Sequence, residues 1–190
     1  MRTYGAVIAT LLCVAAGCSR PVARGPELAT AATIKDLMDA MVDPNAEYLF
    51  DNIVEIVDET GIIDKTPKTD EEWKEVRRRA LMLFEAPNLL VAPGRTVAKP
   101  GEKAKYPEVE LSPEQIQKLI DDDRDAFVRR AQRLQDAAAL ALKAIDARDK
   151  KALFAKLGDV DKACESCHLH YWYPNDKRAR DAAKEDGVSD

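Results

Sequence analysis

Apolar residues recur at three- and four-residue intervals in four stretches of this chain, the pattern of helices that each bury one face. The first stripe holds Ile34, Leu37, Met38 and Met41 and runs on through Ala46, Leu49, Phe50, Ile53 and Val57 until Gly61. Asp43-Pro44 within it reads as an N-cap followed by proline at the first helical position, so this helix is expected to kink or restart there. A second helix starts at Thr69-Asp-Glu-Glu72, a capping box in which the Thr oxygen and the Glu carboxylate each satisfy an otherwise unpaired amide. Trp73, Val76, Ala80 and Leu83 follow as its buried face, with Met82 expected in the core. A third opens with the capping box Ser112-Pro-Glu-Gln115 and carries apolar residues from Ile116 to Ile145, interrupted conspicuously at Asp123. The fourth starts after Asp149 and repeats Leu153, Leu157, Val160, Cys164, Cys167 and Tyr171.

Between the second and third helices, residues 87–111 hold Pro87, Pro93, Pro100 and Pro107 together with Gly94 and Gly101. A connection of that length is unusual and is either functional or mobile; the plainest reading is an excursion over one end of the helices. Beyond the N-terminal segment no period-two strand and no internal repeat is evident. The expected architecture is all-α, an antiparallel four-helix bundle spanning residues 31–173. Residues 174–190 are dense in charge with little to bury and are expected to form a frayed, solvated tail.

With 29 Lys and Arg against 34 Asp and Glu, the 190-residue chain has a formal net charge of −5 and offers no footprint for a phosphate backbone, so nucleic-acid binding is set aside. Its N-terminus changes the picture more. Arg2, an apolar run and the small residues that follow read as a secretory signal over residues 1–17. Ala15-Ala16-Gly17-Cys18 resembles a bacterial lipoprotein signal, in which cleavage precedes a cysteine that then receives lipid. Ser19 after that cysteine carries no inner-membrane retention Asp, which in such proteins implies the outer membrane. Ordinary cleavage after Ala16, leaving a soluble periplasmic protein, is the alternative. Residues 18–30 then serve as a tether.

Of four cysteines, Cys13 leaves with the signal. Cys164-Glu-Ser-Cys167-His168 carries the chemistry. Two cysteines three apart on a helix present their thiols on one face and can form thioethers to the two vinyl groups of one haem, while the adjacent His168 reaches the iron as proximal ligand. Such attachment occurs outside the bacterial cytoplasm, in keeping with the signal. A zinc site lacks spatially separate ligands, a thiol redox pair needs a helix N-terminus, and a disulfide fits poorly across i,i+3 of a helix.

On these residues, and on Leu157-Gly158-Asp159-Val160, Ala163-Cys164 and Tyr171 around them, the chain resembles the class II c-type cytochromes, the cytochrome c′ and cytochrome c556 group. The resemblance implies one covalently bound haem c on the last helix and a distal residue supplied by the first. Leu37-Met38 is similar to the Leu-Met of the low-spin members, although Ile34 stands where an Arg often occurs. Met38 is the expected sixth ligand, with Met41 or a vacant site as alternatives. Trp73, Tyr48, Phe50, Tyr171 and Trp172 are aromatics that could pack on the macrocycle, and His170 is expected in solvent. The expected function is single-electron transfer in the periplasm with unidentified redox partner proteins, membrane attachment through Cys18 and a possible homodimer. A five-coordinate protein binding NO or CO, or a haem-bearing subunit of a membrane redox complex, are the alternatives. No acid/base dyad or nucleophile–base pair is visible, so catalysis is not expected.

Overall fold

Thr33 opens the first helix: its hydroxyl accepts from the Asp36 amide at 3.0 Å, and the Asp36 carboxylate accepts from the Thr33 amide at 3.0 Å. The computed structural model describes residues 29–58 and 61–185, so the segment read as a signal peptide, Cys18 and most of the expected tether lie outside the described residues. α1 (Ile34–Leu37) passes directly into a π-helical segment, Met38–Val42, and then into α2 (Asp43–Asn52). The restart expected at Asp43-Pro44 therefore takes the form of a wider turn, in which the Asp43 amide donates to the carbonyl of Met38. Pro44 has no amide to continue the ordinary ladder, and the inserted residue of a π-turn accommodates that loss.

The first helix ends at Asn52 and does not reach Val57. Instead β1 (Glu55–Asp58) and β2 (Gly61–Asp64) pair antiparallel, from Glu55 opposite Asp64 to Asp58 opposite Gly61. The four-residue interval between Ile53 and Val57 mimics a helical stripe, but Ile56-Val57 and Ile62-Ile63 are β-branched pairs, which fit a pleated ribbon better than a helix. The expectation of no strand is corrected by this hairpin.

α3 (Asp70–Leu90) begins at the Thr69 capping box and contains Pro87, so the long connection starts at Val91 and not at Pro87. A proline in the last turn removes one amide where the ladder is already ending. Met82 is 36% exposed and outside the core, because Ala80 and Leu83 already occupy the inward positions of that turn. α4 (Pro113–Asp122) and α5 (Arg124–Asp146) are separated by Asp123, whose backbone leaves helical geometry (φ −140°, ψ 75°) while its carboxylate accepts from the Ala126 amide at 2.9 Å. α6 (Lys150–Tyr171) is capped by Asp149, which accepts from the Ala152 amide at 2.9 Å. The tail is corrected as well: α7 (Lys177–Glu185) is helical, its start capped by Asp176, with Ala183 buried.

The result is an all-α bundle in which α5 packs against both α3 and α6, and α2 against α3. One core cluster, including Leu49, Trp73, Leu83, Leu134, Leu153 and Val160, fills the middle of the bundle. A second, including Ile34, Leu90, Val97, Ile116, Phe127 and Tyr171, closes the end where α1, α4 and the last turn of α6 meet. Cys164 packs against the first cluster and Cys167 against the second, whereas Met38 and Met41 touch both. Among the described residues no helix is long and apolar enough to cross a membrane.

Candidate haem-binding site

At that closed end lies a cavity of about 660 Å³ bordered by Met38 from the π-helical segment, His168 from α6, and Trp172 and Tyr173 beyond it. Its volume is within the range of small-molecule and cofactor sites, roughly 300–1,000 Å³. π-turns are frequent at functional sites because they offset the following side chains relative to an α-helix. Met38 is the first residue of this one. Met41 does not border the cavity and packs into the core clusters instead. Of the aromatics named from the sequence, Trp172 borders the cavity, whereas Trp73 lies in the mid-bundle core and Tyr48 is covered by the Arg79 guanidinium 4.6 Å from its ring.

Three segments distant in sequence form the wall. The connection between α3 and α4 supplies Val97, Ala98 and the stretch from Lys103 to Tyr106. It is tied to α1, where the Ile34 and Lys35 amides donate to the carbonyls of Thr96 and Val97, each at 2.9 Å. It is tied to the end of α6 as well, where the Leu111 amide donates to the Trp172 carbonyl at 2.8 Å. The segment that reads from sequence as an excursion is thus one side of the cavity.

Cys164 and Cys167 lie one turn apart on α6, both as free thiols. Burial pushes them up to about 12 and about 11, Cys164 also by the charge of Cys167. A thiol redox centre needs the opposite shift. Burial lowers the His168 imidazole below its usual value, so it is held neutral, the form that donates a lone pair to a metal. Met38 and His168 border the cavity, whereas Cys164 and Cys167 pack against the core clusters on the same helix as His168; a methionine sulfur, a neutral imidazole and two thiols one turn apart are the side chains a covalently attached haem would need. Among the described residues no group of three or more His, Cys, Asp or Glu side chains is placed to hold a metal ion.

Residues 98–172 match the family model described as Cytochrome C′. This segment, less than half of the chain, is similar to the cytochrome c′ family. The match takes in the cavity-lining part of the α3–α4 connection and all of α4, α5 and α6, and ends at Trp172. Comparison with curated proteins and with solved structures gave no significant match. The resemblance suggests a haem-binding cytochrome of c type.

Behind α6 lies a polar group that sequence reasoning missed. Arg130 of α5 donates through Nη1 to Ser166 Oγ at 3.1 Å, and its Nη2 lies 3.2 Å from His170 Nδ1. His170 is therefore half-buried against α5 and stacked edge-on to Tyr171, with ring centroids 4.6 Å apart, and is not the solvated residue expected. Among the described residues, Arg130 Nε and the Tyr171 hydroxyl are both buried without a partner in hydrogen-bond geometry, with the Arg130 charge acting on the Tyr171 phenol. Nothing in the sequence separates Arg130 from Arg129 or Arg133 except its place on the α6-facing side of a helix. On the other flank, Tyr173 donates to Glu165 at 2.8 Å, and burial with that bond raises its phenol well above the usual range.

Proposed function

We propose that this protein is a monohaem c-type cytochrome that carries single electrons outside the cytoplasm, its haem joined to Cys164 and Cys167 and its iron held between His168 and Met38. The observation that carries the reading is that Met38 and His168 border one cavity while Met41 does not. When bound, haem supplies a one-electron iron couple, and a His/Met ligand pair favours the reduced state and a low-spin iron in both oxidation states. The residues do the rest. α6 holds the two thiols and the imidazole in a fixed order on one rigid element. The π-turn is anchored at both ends by α1 and α2 and presents the methionine sulfur. Ile116, Val97 and Trp172 supply the apolar part of the cavity wall.

In this reading the protein works from the periplasm, attached to the outer membrane by lipid on Cys18, exchanges electrons with other redox proteins and performs no catalysis of its own. A five-coordinate iron open to NO or CO is the second reading; the family match is what favours it. Haem attachment is tested by producing the chain in a host that matures c-type cytochromes. One haem per chain should stay bound through denaturation and organic extraction, and should be lost in Cys164→Ala/Cys167→Ala. Haem that extracts freely from the wild type contradicts covalent attachment.

A further inference from the structure

The cavity is lined by three lysines, and they are not equivalent. Lys35 is committed to Asp39 at 2.9 Å. Lys103 and Lys105, on the exposed lip of the α3–α4 connection, form no ion pair among the described residues. The Lys105 ammonium lies 5.3 Å from the Tyr106 ring, a cation–π contact that steadies the side chain without forming an ion pair. Nearby carboxylates are taken up elsewhere: Glu102 accepts from the Lys99 amide at 2.7 Å and Glu110 from the Tyr106 amide at 3.0 Å.

The lip is also built to stay where it is. Upstream it is fixed by the Thr96 and Val97 bonds to α1, by the Val97 amide donating to Gln117 Oε1 at 2.9 Å, and by Lys99 on Asp36 at 2.7 Å. Downstream it is fixed by Leu111 on Trp172. Gly101, at φ +83°, makes the turn that brings the chain back toward the cavity before Lys103, a backbone geometry that favours glycine. Two cations outside any ion pair among the described residues are thus presented to a cavity whose other charged lining groups include Asp39, Asp43 and Glu110, with Lys105 close enough to Asp43 to act on its carboxyl. An anionic occupant would be repelled by those acids unless cations stood on its side.

We propose that Lys103 and Lys105 form the anion-binding edge of this cavity and pair with the two propionate carboxylates of the haem. The assignment rests on the proposed haem reading and gives the long connection its role: it is the strap that closes the haem's acidic edge. Cations beside the propionates lower the net negative charge around the iron and favour its reduced state.

The test compares haem-loaded wild type with Lys103→Gln/Lys105→Gln, the charge-conserving Lys103→Arg/Lys105→Arg, and Lys74→Gln/Lys151→Gln, which removes the same charge at the far end of the bundle. In the glutamine lip variant the midpoint potential should fall. The pH at which that potential bends through propionate ionisation should rise, and the carboxylate bending bands in resonance Raman should shift, with covalent haem content unchanged. The arginine variant and the distant pair should follow the wild type. A lip variant indistinguishable from the distant pair, in a fully haem-loaded protein, overturns the assignment alone. A wild type that carries no haem overturns the proposed function and this assignment together.

Discussion

Met38, at the start of the π-helical segment, and His168, near the end of α6, face into one cavity although they come from opposite ends of the folded chain. That pairing depends on several weaker features that hold the two elements in register, and those features can be perturbed separately.

The junction between α4 and α5 rests on Asp123, whose carboxylate accepts from the Ala126 amide at 2.9 Å. Asp123→Ala removes the cap and should cost about 1 kcal/mol. For a domain of this size that is a fall in melting temperature of roughly 2–4 °C, read by circular dichroism. Unchanged melting would mean that the break in the helix is held by packing and not by the cap.

Tyr171 is fully buried, at 0% exposure, and its hydroxyl has no partner in hydrogen-bond geometry among the described residues. A buried polar group left unpaired costs stability, so Tyr171→Phe should leave the melting temperature unchanged or raise it. The ring contact with Phe127, at 5.5 Å between centroids, survives the change. A loss of more than about 1 kcal/mol would show that the hydroxyl is bonded in the haem-loaded protein.

Asp36 is held at about 2, below its ordinary 3.8, first by its bond from Lys99 and then by the Thr33 amide and hydroxyl. Its folded value is depressed, so the stabilisation is fully present above the ordinary carboxylate value and is lost as pH falls through the folded one. Glu75, held at about 2 by Arg78 and Arg79, behaves in the same direction. Between about pH 4 and pH 2 the melting temperature should therefore decline less steeply in Asp36→Asn than in the wild type. An identical slope would remove Asp36 from the acid response.

Much of the helical frame is legible in the sequence because capping boxes are local: Thr69 with Glu72 and Ser112 with Gln115 announce their helices without tertiary help. The Cys164, Cys167 and His168 spacing is equally local. What escapes is decided by packing or by competition between periods. Ile53 and Val57 satisfy a helical interval, yet the chain turns into a hairpin at Glu55. Pro87 reads as a stop but sits inside the last turn of α3. Asp176 caps a helix in a segment whose charge alone reads as solvated tail. The cavity wall from Val97 to Leu111 and the contact of Arg130 with Ser166 join residues far apart in sequence, and no periodicity encodes them.

The proposed lipid anchor is tested apart from the proposed haem. Cys18→Ser should move the protein from the membrane fraction to the soluble periplasmic fraction while leaving its haem spectrum unchanged. A wild type found wholly in the soluble fraction would favour ordinary signal cleavage.

The most direct test of the His168/Met38 assignment is the optical and EPR spectrum of the purified, haem-loaded protein, compared with Met38→Ala and Met41→Ala. The wild type should be low-spin, with a methionine-to-iron charge-transfer band and no ready reaction with CO. That band should vanish in Met38→Ala, which should become high-spin and CO-reactive, and it should persist in Met41→Ala. A high-spin, CO-reactive wild type, or a band that survives Met38→Ala, contradicts ligation by Met38.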